Sequence, residues 1–403
     1  MLIARQLSSI VPAVSSRVAV AGAGLSGAVL ARQLAETGDR RVVVFEHKPH
    51  VGGHCHTERD PATGVLLHRF GAHVFHTHRE DLWRYVTRFG VFHPYITRVR
   101  AITHKGVFSL PINLLTINQF FGRTFRPDEA AAFVATLSER SDGSDGSGEP
   151  RTFEEQALRT VGRALYEAFF LDYTTKQWGA HPRQLPASVF NRLPVRYSYD
   201  DNYFSDRYQG IPVDGYTAVI EAMLDHPAIT VRLGERIALD AAAEFEHLFY
   251  TGAIDACFEH RLGRLRYRSL RFERLEDRGD YQGGAVITDC RLATPYTRTV
   301  EHKHLAPWEH HERTVVFREY SFAAGDTDEQ YYPVRLPGDL TLLASYQALA
   351  AGYPNVTFAG RLGTYRYLDM HVVVAEAIDL AARYLARPAG PHRPHRPHGP
   401  PGR

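Results

Sequence analysis

Cysteine is scarce in this chain, with three residues in 403, and the scarcity limits what the protein can be. Cys55, Cys257 and Cys290 are widely spaced and odd in number, which argues against a disulfide framework and favours free thiols in a reducing compartment. Long apolar runs are also missing: no segment approaches the ~18 residues that a membrane span needs, and residues 1–16 lack the apolar core of a signal peptide. We therefore expect a cytoplasmic protein without a membrane partner.

Excess charge of either sign is absent as well, because 47 Lys and Arg nearly balance 45 Asp and Glu, for a formal net charge of +2. A bulk charge this small gives no reason to expect a nucleic-acid partner. Any bound anion must therefore be held by specific residues. What the chain does have is 44% hydrophobic and 11% aromatic content, which is enough for an ordered protein of two or three domains.

The hydrophobic pattern changes along the chain. Between residues 267 and 332, short apolar runs are punctuated by Gly and Pro, which predicts an antiparallel sheet. Helical periodicity marks residues 372–386. The Ser-, Gly- and Asp-rich residues 138–150 are predicted to form a loop, and the termini 1–16 and 388–403 are predicted to be disordered.

The first apolar run, at residues 17–21, is followed by a glycine fingerprint, a stretch suited to a helix, and a second apolar run at 41–46. This order predicts a βαβ unit that binds a dinucleotide. In the pattern G-x-G-x-x-G, the first glycine permits a tight turn, the second lets the backbone approach a pyrophosphate, and the third allows close helix packing. The predicted residues are Gly22, Gly24, Leu25, Ser26 and Gly27.

The second apolar run ends at Glu46, about 20 residues after the fingerprint, where a carboxylate can accept hydrogen bonds from a ribose. Gly52 and Gly53 follow, and a second close approach of backbone to cofactor favours FAD over NAD. Residues 42–60 also hold four histidines and Cys55. A zinc site would need ligands at a reproducible spacing and a second pair later in the chain, which is missing, so no metal is predicted.

Separated motifs make the chain resemble bacterial UDP-galactopyranose mutases from about residue 18 to about residue 384. The motifs are FGAHVFHT at 70–77, SLPINLLTINQFF at 109–121, FFLDYTTKQWG at 169–179, RLPVRYSYDDNYFSDRYQGIPVDGYT at 192–217, YRSLRFE at 267–273, TPYTRTVEHKH at 294–304, REY at 318–320, YYPV at 331–334 and GRLGTYRYLDM at 360–370.

The resemblance implies an α/β fold in which an FAD-binding Rossmann-like domain carries an inserted helical domain and an antiparallel-sheet domain. The implied boundaries are 17–88, 209–256 and 335–387 for the FAD-binding domain, 89–160 for the helical domain, and 161–208 with 257–334 for the antiparallel-sheet substrate domain.

The implied activity is a flavin-dependent isomerisation between UDP-galactopyranose and UDP-galactofuranose for glycan or cell-wall synthesis. In the family's mechanism, N5 of reduced FAD attacks the anomeric carbon and UDP leaves. The ring opens as a flavin iminium and recloses through another hydroxyl without net oxidation. The cofactor carries the hard chemistry, and the protein supplies placement and charge. The implied partners are a nucleotide-sugar substrate, a reductant such as NAD(P)H or a flavin reductase, and a second copy of the chain in a homodimer.

The residues that match the family's positions are expected to bind the phosphates and the uracil of the substrate. Arginine forks suit a departing diphosphate, and Arg192, Arg268 and Arg298 match the family's phosphate-binding arginines, with Arg192 in the family's mobile lid. Hydroxyl donors to the phosphates are expected from Tyr203, Tyr332 and Tyr367. The uracil is expected to meet Phe169, Phe170, Tyr173, Thr174 and Trp178.

The flavin is expected to meet His73, Arg361, Tyr367, Asp369 and Met370. His73, as an imidazole beside the flavin, is expected to hydrogen-bond the cofactor or to shuttle a proton near neutral pH, and it joins Arg192 and Arg298 as a catalytic residue. No side chain is assigned as general base, and Glu319 is a candidate for electrostatic support.

Two departures from the family pattern stand out. Ala72 replaces the proline that usually precedes the histidine corresponding to His73, which removes a fixed φ, and His54 replaces the usual asparagine after the paired glycines. Three alternatives stay open. They are the same ring contraction on another nucleotide sugar (dTDP-fucose, dTDP-galactose or UDP-N-acetylgalactosamine), an FAD-dependent oxidoreductase, and a non-catalytic flavoprotein that binds a nucleotide sugar.

Overall fold

The structure is a computed structural model that describes residues 17–36, 40–139, 148–192 and 194–386, without the side chains of residues 188, 191 and 192. Both termini predicted to be disordered, and most of the predicted loop at 138–150, lie outside the described residues. The helices are α1 Leu25–Glu36, α2 Glu80–Val86, α3 Leu114–Phe121, α4 Pro127–Leu137, α5 Phe153–Tyr166, α6 Asp172–Trp178, α7 Gly215–Leu224, α8 Ile254–Cys257, α9 Pro337–Ala350, α10 Gly360–Gly363 and α11 Met370–Leu385.

Within the described ranges, the strands form four sheets. They are β1 Arg17–Ala21, β2 Arg41–Glu46, β3 Thr57–Arg59, β4 Leu66–His68, β5 Phe75–Thr77, β6 Phe92–Pro94, β7 Val99–Thr103, β8 Gly106–Leu110, β9 Tyr208–Pro212, β10 Ile229–Leu233, β11 His247–Tyr250, β12 Tyr267–Arg278, β13 Val286–Asp289, β14 Arg298–Glu301, β15 Arg313–Ala323, β16 Tyr332–Pro333 and β17 Val356–Phe358.

A five-stranded parallel sheet has the order β10-β2-β1-β11-β17. Strands β1 and β2 are buried beyond their first residue, as expected for strands that are covered on both faces. Helices α1, α7 and α11 contribute apolar side chains to the same core. Because the carboxyl ends of parallel strands meet at one edge, the segments that follow β1, β2 and β11 come together there. The predicted α/β opening unit is present.

A seven-stranded sheet has the order β16-β12-β15-β14-β13-β7-β8, and all its pairs except β13 with β7 are antiparallel. The antiparallel sheet predicted between residues 267 and 332 is therefore present. The expected helical domain at 89–160 needs correction, because residues 99–110 form two strands of this sheet. In β7 buried and half-buried side chains alternate, which is the pattern of a strand rather than a helix.

Helices α3 to α6 cover this sheet. Thr152 caps α5, since its Oγ1 accepts a hydrogen bond from Glu155 N at 3.2 Å while Glu155 Oε2 accepts one from Thr152 N at 3.1 Å. Gly162 interrupts α5 with φ +74°, and a Cβ at this position would lie 2.4 Å from Leu137 O at the end of α4. A glycine is required there by both its backbone and its neighbour. A π-helical turn at 167–171 then leads into α6.

Two small sheets join the larger ones. Strand β5 lies beside β9, which also pairs with β6, and β3 pairs with β4. In the chain, β3 and β4 come between β2 of the parallel sheet and residues 70–78. Strand β9 is followed by α7 and then by β10 of the parallel sheet. Among the described residues, no helix combines the length and the apolar character that crossing a membrane requires.

Candidate active site

A cavity of ≈ 1910 Å³ is lined by residues from the regions of both large sheets. Its lining combines residues that follow β1, β2 and β11 with residues of β14, β15 and β16. Small-molecule sites usually measure about 300–1,000 Å³, so this cavity has room for more than one ligand. One arm is built on the glycine fingerprint, and we call it the cofactor arm. The other is built on α6, β14 and β16, and we call it the nucleotide arm.

Two glycine segments form the floor of the cofactor arm. Gly24 lies beside Gly52 in a parallel bridge, and Gly52 N donates to Ala23 O at 2.9 Å. A Cβ on Gly53 would lie 3.0 Å from Gly24 Cα, so side chains on these residues would fill the space between the segments. The start of α1 lines the cavity, and the free N–H groups of a helix N-terminus are suited to a pyrophosphate, which fits a dinucleotide.

Gly27 has a different role, because it is absent from the cavity lining. A Cβ there would lie 1.9 Å from the carbonyl oxygen of Gly22, so Gly27 allows α1 to pack on the turn after β1. Leu25 and Ser26, by contrast, line the cavity together with Gly22 and Gly24.

Glu46 lies at the end of β2 and is 4% exposed. Its Oε2 accepts from Ala23 N at 2.8 Å and its Oε1 from Lys48 N at 2.9 Å. Burial alone would raise the pKa of Glu46, but hydrogen bonds from His47 and from these backbone groups outweigh it and lower the pKa. Oε1 also lies 2.9 Å from His47 Nδ1, whereas Oε2 retains acceptor capacity, so the ionised group can still bind a ribose hydroxyl.

His54, the departure from the family's asparagine, connects Arg361 to an acidic residue. Arg361 Nη2 donates to His54 Nδ1 at 2.8 Å, and His54 Nε2 lies 2.8 Å from Glu329 Oε1. Since arginine can only donate, Nδ1 is the acceptor and Nε2–H donates to Glu329. The imidazole stacks on Tyr331 at 4.8 Å between ring centroids, which fixes its plane.

Glu329 is also paired with Lys48, whose Nζ lies 2.9 Å from Oε2. Burial would raise the pKa of Glu329, but hydrogen bonds from His54 and Lys48 lower it to about 2. Burial, reinforced by the charge of Arg361, lowers the pKa of His54. The network is therefore an ionised carboxylate, two cations and a neutral imidazole, and it holds Arg361 beside the Tyr332 and Tyr367 rings.

His73 also lines the cavity. Its Nδ1 lies 2.7 Å from Gly71 O, so Nδ1–H donates and Nε2 is left as the acceptor. Burial, assisted by the charge of Arg361, lowers the pKa of His73 to about 4. The ring is therefore neutral at pH 7, with Nε2 as a hydrogen-bond acceptor. Ala72, which follows Gly71 at φ +100°, lines the cavity as well.

The nucleotide arm is lined by one face of α6 and the turn before it. Tyr173, Thr174, Gln177 and Trp178 all line the cavity, as does Phe170 in the π-helical turn. Residues at i, i+1, i+4 and i+5 share a helix face, which explains why these four side chains come together. A base can stack on such aromatic side chains.

Arg298, the first residue of β14, faces α6 across the cavity. Its Nη2 donates to Tyr173 Oη at 2.9 Å, and its Nε lies 3.1 Å from Glu319 Oε2 in an ion pair without hydrogen-bond alignment. Glu319 is 3% exposed, and its burial raises its pKa, partly offset by the charge of Arg298. Tyr203, Tyr332 and Tyr367 line the same cavity, and the rings of Tyr332 and Tyr367 stack at 5.4 Å.

Two predicted substrate residues are not placed as expected. Phe169 is 2% exposed and absent from the lining, because it packs against Phe108 and Phe120 in the core under the seven-stranded sheet. Arg268 is also absent from the lining, because its guanidinium binds backbone carbonyls of α6, with Nε 3.0 Å from Gln177 O and Nη2 3.2 Å from Lys176 O. The side chain of Arg192 lies outside the described residues.

Sequence reasoning missed two features of the site. Gln177 lines the cavity at 8% exposure, and its buried Oε1 has no hydrogen-bond partner among the described residues. Its position four residues after Tyr173 is the signal that could have identified it. His76 contacts two lining residues, Asp206, whose Oδ2 lies 2.6 Å from Nδ1, and Phe204, whose ring stacks at 3.7 Å.

Comparison with known proteins decides the family. A family model described as UDP-galactopyranose mutase matches residues 168–367, and one described as an NAD(P)-binding Rossmann-like domain matches residues 20–89. A probable UDP-galactopyranose mutase from Klebsiella pneumoniae is 49% identical over 375 residues, which cover 93% of this chain and 96% of that protein. The chain belongs to the UDP-galactopyranose mutase family. Its predicted enzyme class, a mutase, and its predicted dinucleotide-binding domain are confirmed.

Another relative and a solved structure are also similar to this mutase family member. A dTDP-fucopyranose mutase from Escherichia coli is 43% identical, with 92% of this chain and 98% of that protein covered. A crystal structure of reduced UDP-galactopyranose mutase has a TM-score of 0.72 at 15% identity and covers 92% of this chain and 94% of that one. At that identity the likeness confirms the predicted fold alone.

Proposed function

We propose that this mutase interconverts UDP-galactopyranose and UDP-galactofuranose with reduced FAD as its cofactor. The observation that carries the proposal is that the cofactor arm and the nucleotide arm belong to one continuous cavity, with Arg298 and Glu319 between α6 and the cofactor residues. The similarity to a probable UDP-galactopyranose mutase from Klebsiella pneumoniae supports the choice of sugar.

The cofactor arm suits FAD. The paired glycine segments would hold the pyrophosphate, Glu46 the ribose, and Arg361, Asp369 and Met370 the flavin half, all of them lining the cavity. Bound reduced flavin would supply an electron-rich N5 that can act as a nucleophile toward the anomeric carbon, with no net redox change. His73 offers a neutral acceptor to a donor on the cofactor or the sugar.

The nucleotide arm would hold UDP before and after the glycosidic bond breaks. Tyr173 and Trp178 offer ring faces to the uracil, and Thr174 and Gln177 offer polar contacts. Arg298 and the hydroxyls of Tyr203, Tyr332 and Tyr367 would neutralise the diphosphate, whose charge grows as it leaves. Because the guanidinium is already oriented by Tyr173 and Glu319, little reorganisation is needed when that charge develops.

Location and assembly extend the proposal. Three free thiols support a cytoplasmic enzyme, and among them Cys55 lines the cavity with a pKa that burial raises to about 11. The family resemblance supports a homodimer and a cellular reductant such as NAD(P)H or a flavin reductase.

A second candidate is the same ring contraction on a dTDP-linked 6-deoxy sugar, which the 43% identity to a dTDP-fucopyranose mutase favours.

To test both candidates, the protein should be reduced with dithionite and incubated with UDP-galactose, dTDP-fucose, dTDP-galactose and UDP-N-acetylgalactosamine, followed by chromatography of the products. We expect a furanose from UDP-galactose, formed in large excess over reductant consumed. If another nucleotide sugar is converted faster than UDP-galactose, that nucleotide sugar is the substrate. Absence of any furanose, or one product per equivalent of reductant, would reject the mutase.

A further inference from the structure

Lys176, on α6, makes a contact that the binding of a nucleotide sugar does not explain. Its Nζ donates to four backbone carbonyls, those of Asp289, Arg291, Thr294 and Tyr296, at 2.9, 2.8, 3.0 and 3.0 Å. An ammonium group has three N–H donors, so four converging carbonyls form the surroundings of a small cation rather than a set of paired hydrogen bonds. We call these four carbonyls the carbonyl cage.

Lys176 holds this position without a carboxylate of its own among the described residues. The carboxylate of Asp289 is already bound by Arg291, whose Nε and Nη2 lie 3.0 and 2.5 Å from its two oxygens. One turn earlier on α6, Asp172 Oδ2 accepts from Leu292 N at 3.1 Å. Burial lowers the pKa of Lys176. Helix α6 is thus fastened to residues 289–296 at two points on one face.

The cage lies directly before Arg298 in the chain. Thr297 follows the last cage residue and donates from its N to Glu319 O at 2.8 Å, and Arg298 comes next as the first residue of β14. Within the cavity, Tyr173 on α6 accepts a hydrogen bond from Arg298. Any shift between α6 and the cage would therefore change the distance between the base-stacking residues and the phosphate-binding arginine.

The other side of α6 is held by residues of the same sheet. Arg268 and Ser321 bind the carbonyl of Gln177, with Ser321 Oγ at 2.6 Å. A Cβ on Gly179 would lie 2.4 Å from Arg268 Nη1, so the chain leaves the helix over this guanidinium. Arg268 fixes the end of α6 to β12 and β15, and Lys176 fixes its middle to the segment before β14.

We propose that Lys176 is a positioning residue whose ammonium fills a latent monovalent-cation site, and that this bond sets the separation between the α6 side chains and Arg298 at which UDP binds. The proposal rests on the proposed function for its choice of UDP as ligand. It predicts that a free cation of suitable size can replace the ammonium, because carbonyl rings can substitute for the hydration shell of potassium.

The test measures the dissociation constant of UDP for the flavin-loaded protein by titration calorimetry. In Lys176→Ala we expect UDP affinity to fall by about tenfold to a hundredfold, the loss expected when a hydrogen bond to a charged group is no longer made. Ammonium or potassium chloride should recover most of this loss, with lithium chloride at equal ionic strength as the control. Lys176→Met, which fills the cage with an apolar chain, should lose affinity without recovery by any of the salts.

Wild-type protein should show no specific response to ammonium or potassium, and Lys105→Ala, at an exposed lysine over Phe120, should bind UDP normally. Flavin content and thermal unfolding report whether each variant folds. Unchanged UDP affinity in Lys176→Ala overturns the proposal. The proposal is also overturned if ammonium and potassium recover no more of the lost affinity than lithium does. Because the readout is UDP binding without turnover, failure of the proposed reaction would appear separately, in the wild-type product assay.

Discussion

The cofactor arm and the nucleotide arm are built in different ways. The cofactor arm draws its floor from residues 22–53, where two glycine segments contact each other through backbone and one carboxylate closes the turn. The nucleotide arm combines α6, β14 and β16, which lie far apart in the chain, and is fixed by cationic side chains that bind backbone carbonyls or the carboxylate of Glu319. We therefore expect the cofactor arm to be disturbed by substitutions that add side-chain volume, and the nucleotide arm by substitutions that remove a charge.

The largest effect is expected from breaking the cofactor arm with Gly27→Ala. The added Cβ would lie 1.9 Å from the carbonyl oxygen of Gly22, so α1 or the fingerprint turn must move. Overpacking of this kind costs about 1–3 kcal/mol or more in the free energy of unfolding, and the moved turn should lose flavin. Flavin absorbance per protein and the melting temperature measure both. Gly338→Ala, which meets no atom within 4 Å and lies in α9, is the matched control and should neither release flavin nor lower the melting temperature.

The nucleotide arm should respond to Arg298→Ala with a loss of turnover at normal flavin content. Removing one preorganised donor to a developing negative charge costs about 10²–10³ in kcat. The reverse pattern, normal turnover with lost flavin, would contradict the division between the arms. Arg313→Ala, at an exposed arginine on β15, removes the same charge outside the cavity and should leave kcat unchanged.

A smaller effect is expected where the two arms meet, from His54→Asn, which introduces the family's usual residue. Asparagine is shorter and cannot reach both Arg361 and Glu329, so the Arg361 guanidinium loses its link to the carboxylate. A hydrogen bond to a charged group contributes about 1.5–3 kcal/mol. Because solvent replaces part of the lost interaction, we expect flavin affinity to fall by about tenfold. Flavin dissociation followed by fluorescence measures this. Equal affinity in both proteins would mean that the network is dispensable.

A further effect is expected from pH, through buried neutral histidines. Burial lowers the pKa of His54 and His68, and it lowers the pKa values of His73 and His302 to about 4. Between about pH 4 and pH 6.5 the unfolded chain binds more protons at these rings than the folded chain, so stability falls as pH falls through this window. Melting temperatures at pH 7.5, 6 and 5 should decrease in that order. A constant value would show that the rings are accessible to protons in the folded state.

The contrast between the arms also explains how much the sequence could predict. The fingerprint, Glu46 and the paired glycines follow one another at fixed spacing, so the cofactor arm could be predicted from local pattern. The family resemblance implies that both Phe169 and Phe170 meet the base, but in the π-helical turn Phe169 packs into the core and Phe170 lines the cavity. The roles of Arg268 and Lys176 depend on carbonyls from distant segments, which no spacing reveals.

The structure of the flavin-loaded protein with UDP tests the account most directly. We predict a single continuous site, with the uracil against the α6 face that carries Tyr173 and Trp178, the diphosphate within hydrogen-bond distance of Arg298, and the carbonyl cage intact around Lys176. UDP bound outside this cavity, or a diphosphate that leaves Arg298 without contact, would contradict it.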